Sequence, residues 1–137
     1  MMATTDLQPW ARPGASGMRA GRGRRAALSG LMAEDNVLRH YQRAGAVLRD
    51  SRWRGQAGEI DLILQDGPDL VFVEVKSAAT HAAAGGMLRP AQIRRIMASA
   101  CDYCGRHGLD GATMRFDVAL VDGLGRVEIL ANALVQD

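Results

Sequence analysis

The sequence predicts an α/β sandwich: a central mixed sheet with helices on both faces, in the order αβββαββ. Three observations point there. Residues 25–44 and 90–106 carry apolar side chains at helical spacing. Two apolar runs flank the turn Asp66-Gly67-Pro68-Asp69, and a further alternating strand, Arg115 to Val121, follows the second helix. The 137 residues and 47% apolar content suit one domain with a real core.

Residues 1–22 are rich in Gly, Pro, Ala and Arg without periodicity, and read as a mobile N-terminal arm; 23–137 read as the domain. The first helix runs from about Arg25 to Ala44, with Gly45 as its stop. Ala27, Leu31, Leu38 and Tyr41 share a stripe with Glu34, an acid that needs a partner there. Val47-Leu48 is a short strand, and Ser51 to Gly55 reads as a loop. Glu59–Gln65 and Leu70–Lys76 form a hairpin around the strong turn signal between them. Residues 77–89, rich in Ala and Gly, read as a flexible loop. Pro90 opens the second helix, whose apolar stripe is Ile93, Ile96, Met97, Ala100, Cys101 and Cys104. Arg126 to Leu130 is a weaker last strand.

The charge balance narrows the function. Arginines 12, 19, 22, 24 and 25 crowd the first 30 residues against Asp6, while the body has a slight acidic excess. Affinity for a phosphate backbone would need the arm or a local patch. No stretch approaches ~18 continuous apolar residues, so no membrane span is expected. Two cysteines and no export-like leader suggest a reducing cytoplasm.

Lys76 is the only lysine among 17 basic residues. It follows Glu74 by two positions on an apolar strand, and Asp61 precedes both. Lysine is a compact cation whose pKa can move, whereas arginine is a broad fork that stays charged. An acid followed by Glu-x-Lys on such a strand is the pattern of a metal-dependent nuclease centre. If Gln65 pairs with Leu70, Asp61 faces Glu74 and Glu59 faces Lys76, all on one side of the hairpin. Ile60, Leu62, Leu64, Val71, Val73 and Val75 then make an apolar opposite side. Opposed carboxylates, with Cβ atoms roughly 4.5–5.5 Å apart, destabilise a hairpin unless a cation or shared proton intervenes. Mg²⁺ suits two carboxylates plus water and phosphate. A surface salt-bridge cluster is the plainer alternative.

The runs Gly58-Glu59-Ile60-Asp61-Leu62-Ile63 and Phe72-Val73-Glu74-Val75-Lys76 resemble the YraN family of UPF0102-type proteins. So do Gly30, Glu34, Gly45 and Arg115-Phe116-Asp117, and the resemblance spans about residues 24 to 133. That family is related to restriction-endonuclease-like PD-(D/E)xK nucleases and archaeal Holliday-junction resolvases. The resemblance implies a restriction-endonuclease-like sandwich and Mg²⁺-dependent cleavage of DNA, branched or damaged structures included, with Mn²⁺ able to substitute. It implies a site in which Asp61, Glu74 and the Val75 carbonyl hold metal, Lys76 positions the attacking water, and Glu34 completes the acidic cluster. Glu59, facing Lys76, reads equally as a cross-strand ion pair with it or as a support for its position. The related resolvases work as dimers, so the resemblance allows a homodimer, while the sequence itself leaves the oligomeric state open. Three departures stand out: Ser77-Ala78 where an arginine usually follows the lysine, Ala33 where a glycine is typical, and Gln92 where a lysine is frequent.

Arg52, Trp53 and Arg54, with Arg94 and Arg95 on the second helix, are candidate nucleic-acid contacts. Trp53 capping the core and a solvated helix face are the competing readings. Cys101 and Cys104, followed by His107, have CxxC spacing but lie on the apolar stripe, where buried packing is expected. His40 and His81 read as exposed. Two rival functions remain: a non-catalytic nucleic-acid-binding module on the same fold, and an interaction domain whose acidic face docks a basic partner.

Overall fold

The computed structural model describes residues 17–133, with side chains from residue 30 onward. It divides into two compact units, Met1–Met32 and Ala33–Asp137. Helix α1 spans Gly17–Arg43, so residues 17–22 of the expected arm are helical; residues before Gly17 lie outside the described part. Among the described residues the order continues β1 (Val47–Arg54), β2 (Glu59–Asp66), β3 (Asp69–Ser77), α2 (His81–Gly85), α3 (Pro90–Arg106), β4 (Thr113–Val121) and β5 (Val127–Leu130). The α/β sandwich read from the sequence is the observed architecture. No helix of the described residues is long and apolar enough to cross a membrane.

The five strands form one sheet in chain order. β1, β2 and β3 pair antiparallel, β3 and β4 parallel, and β4 and β5 antiparallel. Parallel β3 and β4 need a long crossover, and α2 and α3 supply it. Both faces of the central strands are covered, so their sequences are nearly continuous apolar runs. Leu62, Leu64, Val71, Val73, Ala119 and Val121 pack with Ala33, Val37 and Tyr41 of α1. Ile63, Leu70, Phe72, Phe116 and Val118 pack on the other face with Ile96, Ala100 and Tyr103 of α3.

Several sequence expectations are corrected. β1 runs through Arg54, where a loop was expected at Ser51–Gly55. It is an edge strand with no fully buried residue, so it carries no apolar signature. Its pairing shifts between Leu48 and Asp50, and Arg52 adopts a left-handed φ of 52°. Part of the expected 77–89 loop is helix α2, its first turn capped by Thr80 Oγ1 accepting from the Ala83 amide. The α3 stripe is rotated: Ile96, Ser99, Ala100, Tyr103 and Cys104 are buried, whereas Met97 and Cys101 are exposed. On α1 the buried line is Ala33, Val37 and Tyr41, with Leu38 at its margin.

A second polar centre holds the far end of the sheet. The fully buried Asp117 carboxylate accepts from Tyr41 Oη at 2.6 Å, from Arg115 Nε at 3.1 Å and from the Asn132 amide at 2.8 Å. Arg115 reaches on to Asp66 at 3.2 Å. A buried charge is tolerated when it is this fully hydrogen-bonded.

Candidate metal centre

The hairpin register places the acids. Asp66 pairs with Asp69, Gln65 with Leu70, and pairing continues to Leu62 and Val73. That is the register expected from the turn, and it brings Asp61 and Glu74 to the next step. There the strands depart from simple alternation. Ile60 joins the α3-side cluster together with Ile63, rather than lying with Leu62 and Leu64. The wholly apolar side expected to include Ile60 therefore breaks at Asp61. In the break, Asp61 Oδ2 accepts a hydrogen bond from the Val75 amide at 2.8 Å.

Asp61 and Glu74 line one cavity of about 220 Å³, together with Gly58, Glu59, Gln92 and Arg95. The turn entering β2 is pinned over α3, because the buried Ser99 hydroxyl donates to the Gly58 carbonyl at 2.9 Å. Gly58 has φ 148°, a conformation that L side chains rarely adopt. Glu74 is almost wholly buried. Its Oε2 accepts from Gln92 Nε2 at 2.6 Å and lies 2.9 Å from Lys76 Nζ in an ion pair. Glu34, on α1, lies 3.6 Å from Arg52 Nε, and both side chains are largely buried.

The electrostatics mark this as a strained acidic cluster. Burial pushes the Asp61 carboxyl well above the usual range, and the charges of Glu74 and Glu34 push it further. The Val75 amide opposes the rise only in part. Burial also raises Glu34, to about 7, against the pull of Arg52 and with added push from Glu59 and Glu74. A carboxylate shifted by burial and like charges inside a cleft is a recurrent sign of a functional site.

The predicted site residues divide as follows. Asp61, Glu74 and Lys76 come together, and Glu34 lies within their electrostatic reach. Glu59 lines the cavity, but its cation partner is Arg54 at 3.9 Å, not Lys76. Lys76 turns to Glu74 because they share a face of β3 two residues apart. Arg52 turns inward to Glu34, and Trp53 packs edge-on against Tyr103 at 5.2 Å, capping the core. Arg54 and Arg94 are exposed, and Arg95 lines the cavity. Gln92 was missed as part of the centre, although the sequence signalled it as a departure from lysine. Cys104 packs its sulfur 3.7 Å from that of Met114, Cys101 is exposed, and His107 stacks on Tyr103.

The donor set fits a hard cation. Asp61 and Glu74 share a partly enclosed cavity in which burial and like charge raise the Asp61 carboxyl, and a divalent ion there would oppose that rise. Among the described residues no group of three or more His, Cys, Asp or Glu side chains is placed to hold a metal. Among the described residues those side-chain types therefore form no cage of three or more. Mg²⁺ does not need one, since it keeps several waters and takes one or two carboxylates.

Comparison with known proteins follows the same residues. The model of the uncharacterised protein family UPF0102 matches residues 33–121, from Ala33 within α1 to the end of β4. A UPF0102 protein of Dinoroseobacter shibae is 47% identical over 130 residues, covering 94% of this chain and 93% of the relative. One of Ruegeria pomeroyi is 49% identical over 116 residues, covering 83% and 94%. One of Cereibacter sphaeroides is 48% identical over 106 residues, covering 77% and 91%. The chain therefore belongs to the uncharacterised protein family UPF0102.

Proposed function

We propose that this protein hydrolyses phosphodiester bonds in DNA, with Mg²⁺ or Mn²⁺ as cofactor and branched or damaged DNA as the preferred substrate. The observation that carries this reading is the convergence of Asp61 and Glu74 on one cavity, with the Lys76 ammonium 2.9 Å from Glu74. Asp61, Glu74 and the Val75 carbonyl would hold the cation. When bound, it supplies Lewis acidity toward a phosphoryl oxygen. Lys76 then orients the attacking water in line with the scissile bond and stabilises negative charge as it develops. Glu74, were it shared with a cation, would hold Lys76 less tightly and leave the ammonium available for this task. Glu34, paired with Arg52 at the edge of the cluster, would bind the cation through water or orient Lys76.

The test is cleavage of branched, single-stranded and duplex DNA by purified protein with Mg²⁺ or Mn²⁺. The reading fails if the wild type cuts none of them better than Asp61→Ala.

One observation favours a second reading, a nucleic-acid-binding module without turnover. Glu74 Oε2 already holds the Gln92 amide by a hydrogen bond and the Lys76 ammonium by an ion pair, occupying the oxygen a cation would use. DNA binding that survives EDTA and Lys76→Ala, with no cleavage, would select it.

A further inference from the structure

A second cavity, of about 380 Å³, shares no lining residue with the one that holds the carboxylate pair. It is lined by Asn36, Arg39, His40 and Arg43 of α1 and by the Gly125–Val127 turn, which brings Arg126. Residues three and four apart share one helical stripe, so the α1 members present a common edge. Glu34 flanks the buried Ala33–Val37–Tyr41 line on one side and this stripe flanks it on the other. None of the lining residues is a carboxylate.

The groove is built rather than incidental. Asn36 Nδ2 donates to the Gly125 carbonyl at 3.2 Å, tying the turn to the helix. Gly125 has φ 82°, and a Cβ there would stand 2.9 Å from Asn36 Nδ2. Asp122 holds the same turn from behind, accepting from the Leu124 and Arg126 amides, both at 2.9 Å. A preformed groove loses little freedom when it binds. Two acids neutralise part of its charge from outside: Asp35 pairs with Arg39, and Asp122 with Arg126. Both guanidinium groups stay half or more exposed, so a phosphate can compete for them. The α1 dipole accounts for His40 and Arg43 in its last turn. It does not account for Arg126, which comes from another element, nor for the pinned turn.

We infer that this groove binds the phosphodiester backbone of a nucleic acid, at a place separate from the carboxylate pair. The nucleic-acid identity of the ligand rests on the proposed function; the phosphate chemistry rests on the arginines alone. Chemically the two places complement each other. The acidic centre repels a phosphate backbone, so affinity must come from a cationic surface elsewhere.

The test is fluorescence anisotropy of labelled duplex and branched DNA with the full chain in EDTA, at about 50 and about 200 mM salt. Arg39→Gln/Arg43→Gln is compared with wild type and with Arg106→Gln, an exposed arginine on α3 outside the groove. The expected result is an affinity loss of about tenfold in the double variant. The slope of log Kd against log salt should fall by about 2, one unit per lost phosphate contact. Arg106→Gln should match wild type. Equal affinity and equal slope in wild type and the double variant would overturn the inference. So would a total lack of DNA binding combined with unchanged Arg43 and His40 NMR signals on titration with inorganic phosphate. Cleavage absent in Mg²⁺ while binding stays groove-dependent would support the groove and overturn the proposed hydrolysis.

Discussion

The Asp61 carboxylate accepts the Val75 amide hydrogen at 2.8 Å, just beyond Leu62 and Val73, the last paired residues of the β2–β3 ladder. A side chain takes over where backbone pairing stops. This fixes an acid beside Glu74 and beside the residue whose carbonyl is the expected third metal donor. The same step leaves three like charges, from Asp61, Glu74 and Glu34, acting on one another in a partly buried space.

Removing one of those charges should help the metal-free protein. Asp61→Asn keeps an oxygen to accept from Val75 and removes the repulsion. In EDTA at about pH 8 it should be about 1 kcal/mol more stable than wild type in urea unfolding. Asp61→Ala should be less stable than Asp61→Asn by about 1–2 kcal/mol, because the Val75 amide loses its partner. An Asn variant weaker than wild type under those conditions would show that the repulsion is not there.

The same charges set an unusual pH dependence. The Glu34 carboxyl is raised in the folded state from 4.5 to about 7, so the folded protein holds a proton that the unfolded chain releases. Its contribution is full below about 4.5, declines between 4.5 and 7, and is gone above. Asp61 acts in the same direction. Metal-free protein should therefore lose roughly 2–3 kcal/mol of stability from Glu34 as pH rises through that window. Glu34→Gln should flatten the profile. Urea unfolding in EDTA at several pH values measures it, and a wild-type profile as flat as that of Glu34→Gln would refute the assignment.

Divalent ions should act on folding as well as on chemistry. An ion bound only by the folded protein stabilises it by about 2.7 kcal/mol at a hundredfold excess over its Kd. Mg²⁺ should raise the Tm of wild type and leave Glu74→Gln unmoved. Calorimetry with and without Mg²⁺ reads this; equal shifts in both proteins would place the ion elsewhere.

Asp117 is expected to matter for stability and not for chemistry. Asp117→Ala leaves the Arg115 guanidinium, the Tyr41 hydroxyl and the Asn132 amide without their shared acceptor. The cost should be about 3–5 kcal/mol, the scale for breaking a buried ion pair. Tyr41→Phe should cost about 1 kcal/mol. A loss below about 1 kcal/mol for Asp117→Ala in urea unfolding would mean the network relaxes around the gap.

Much of this molecule was legible because its central hairpin is unambiguous. Asp66-Gly67-Pro68-Asp69 sets the register, which holds as far as Leu62 and Val73; Asp61 and Glu74, one step beyond, meet at the cavity without being a ladder pair. Glu34 was legible as an acid on an inward stripe. What the sequence hid has physical causes. β1 lacks apolar alternation because it is an edge strand, so its left-handed Arg52 and inward turn to Glu34 gave no signal. The Glu59–Lys76 pairing failed because Lys76 finds Glu74 on its own strand at 2.9 Å. The α3 stripe was read off by about one position because Tyr103 and Ser99, both polar by type, are buried and partnered. Gln92 meets Glu74 only through the packing of α3 on β3, a contact that no local pattern encodes.

If Asp61 and Glu74 share one divalent ion, a crystal soaked in Mn²⁺ will hold it between them. Anomalous diffraction should show a single peak bridging the two carboxylates beside Val75, absent from crystals of Asp61→Asn. A soaked crystal with no peak there, or with the peak unchanged in the variant, would contradict the account.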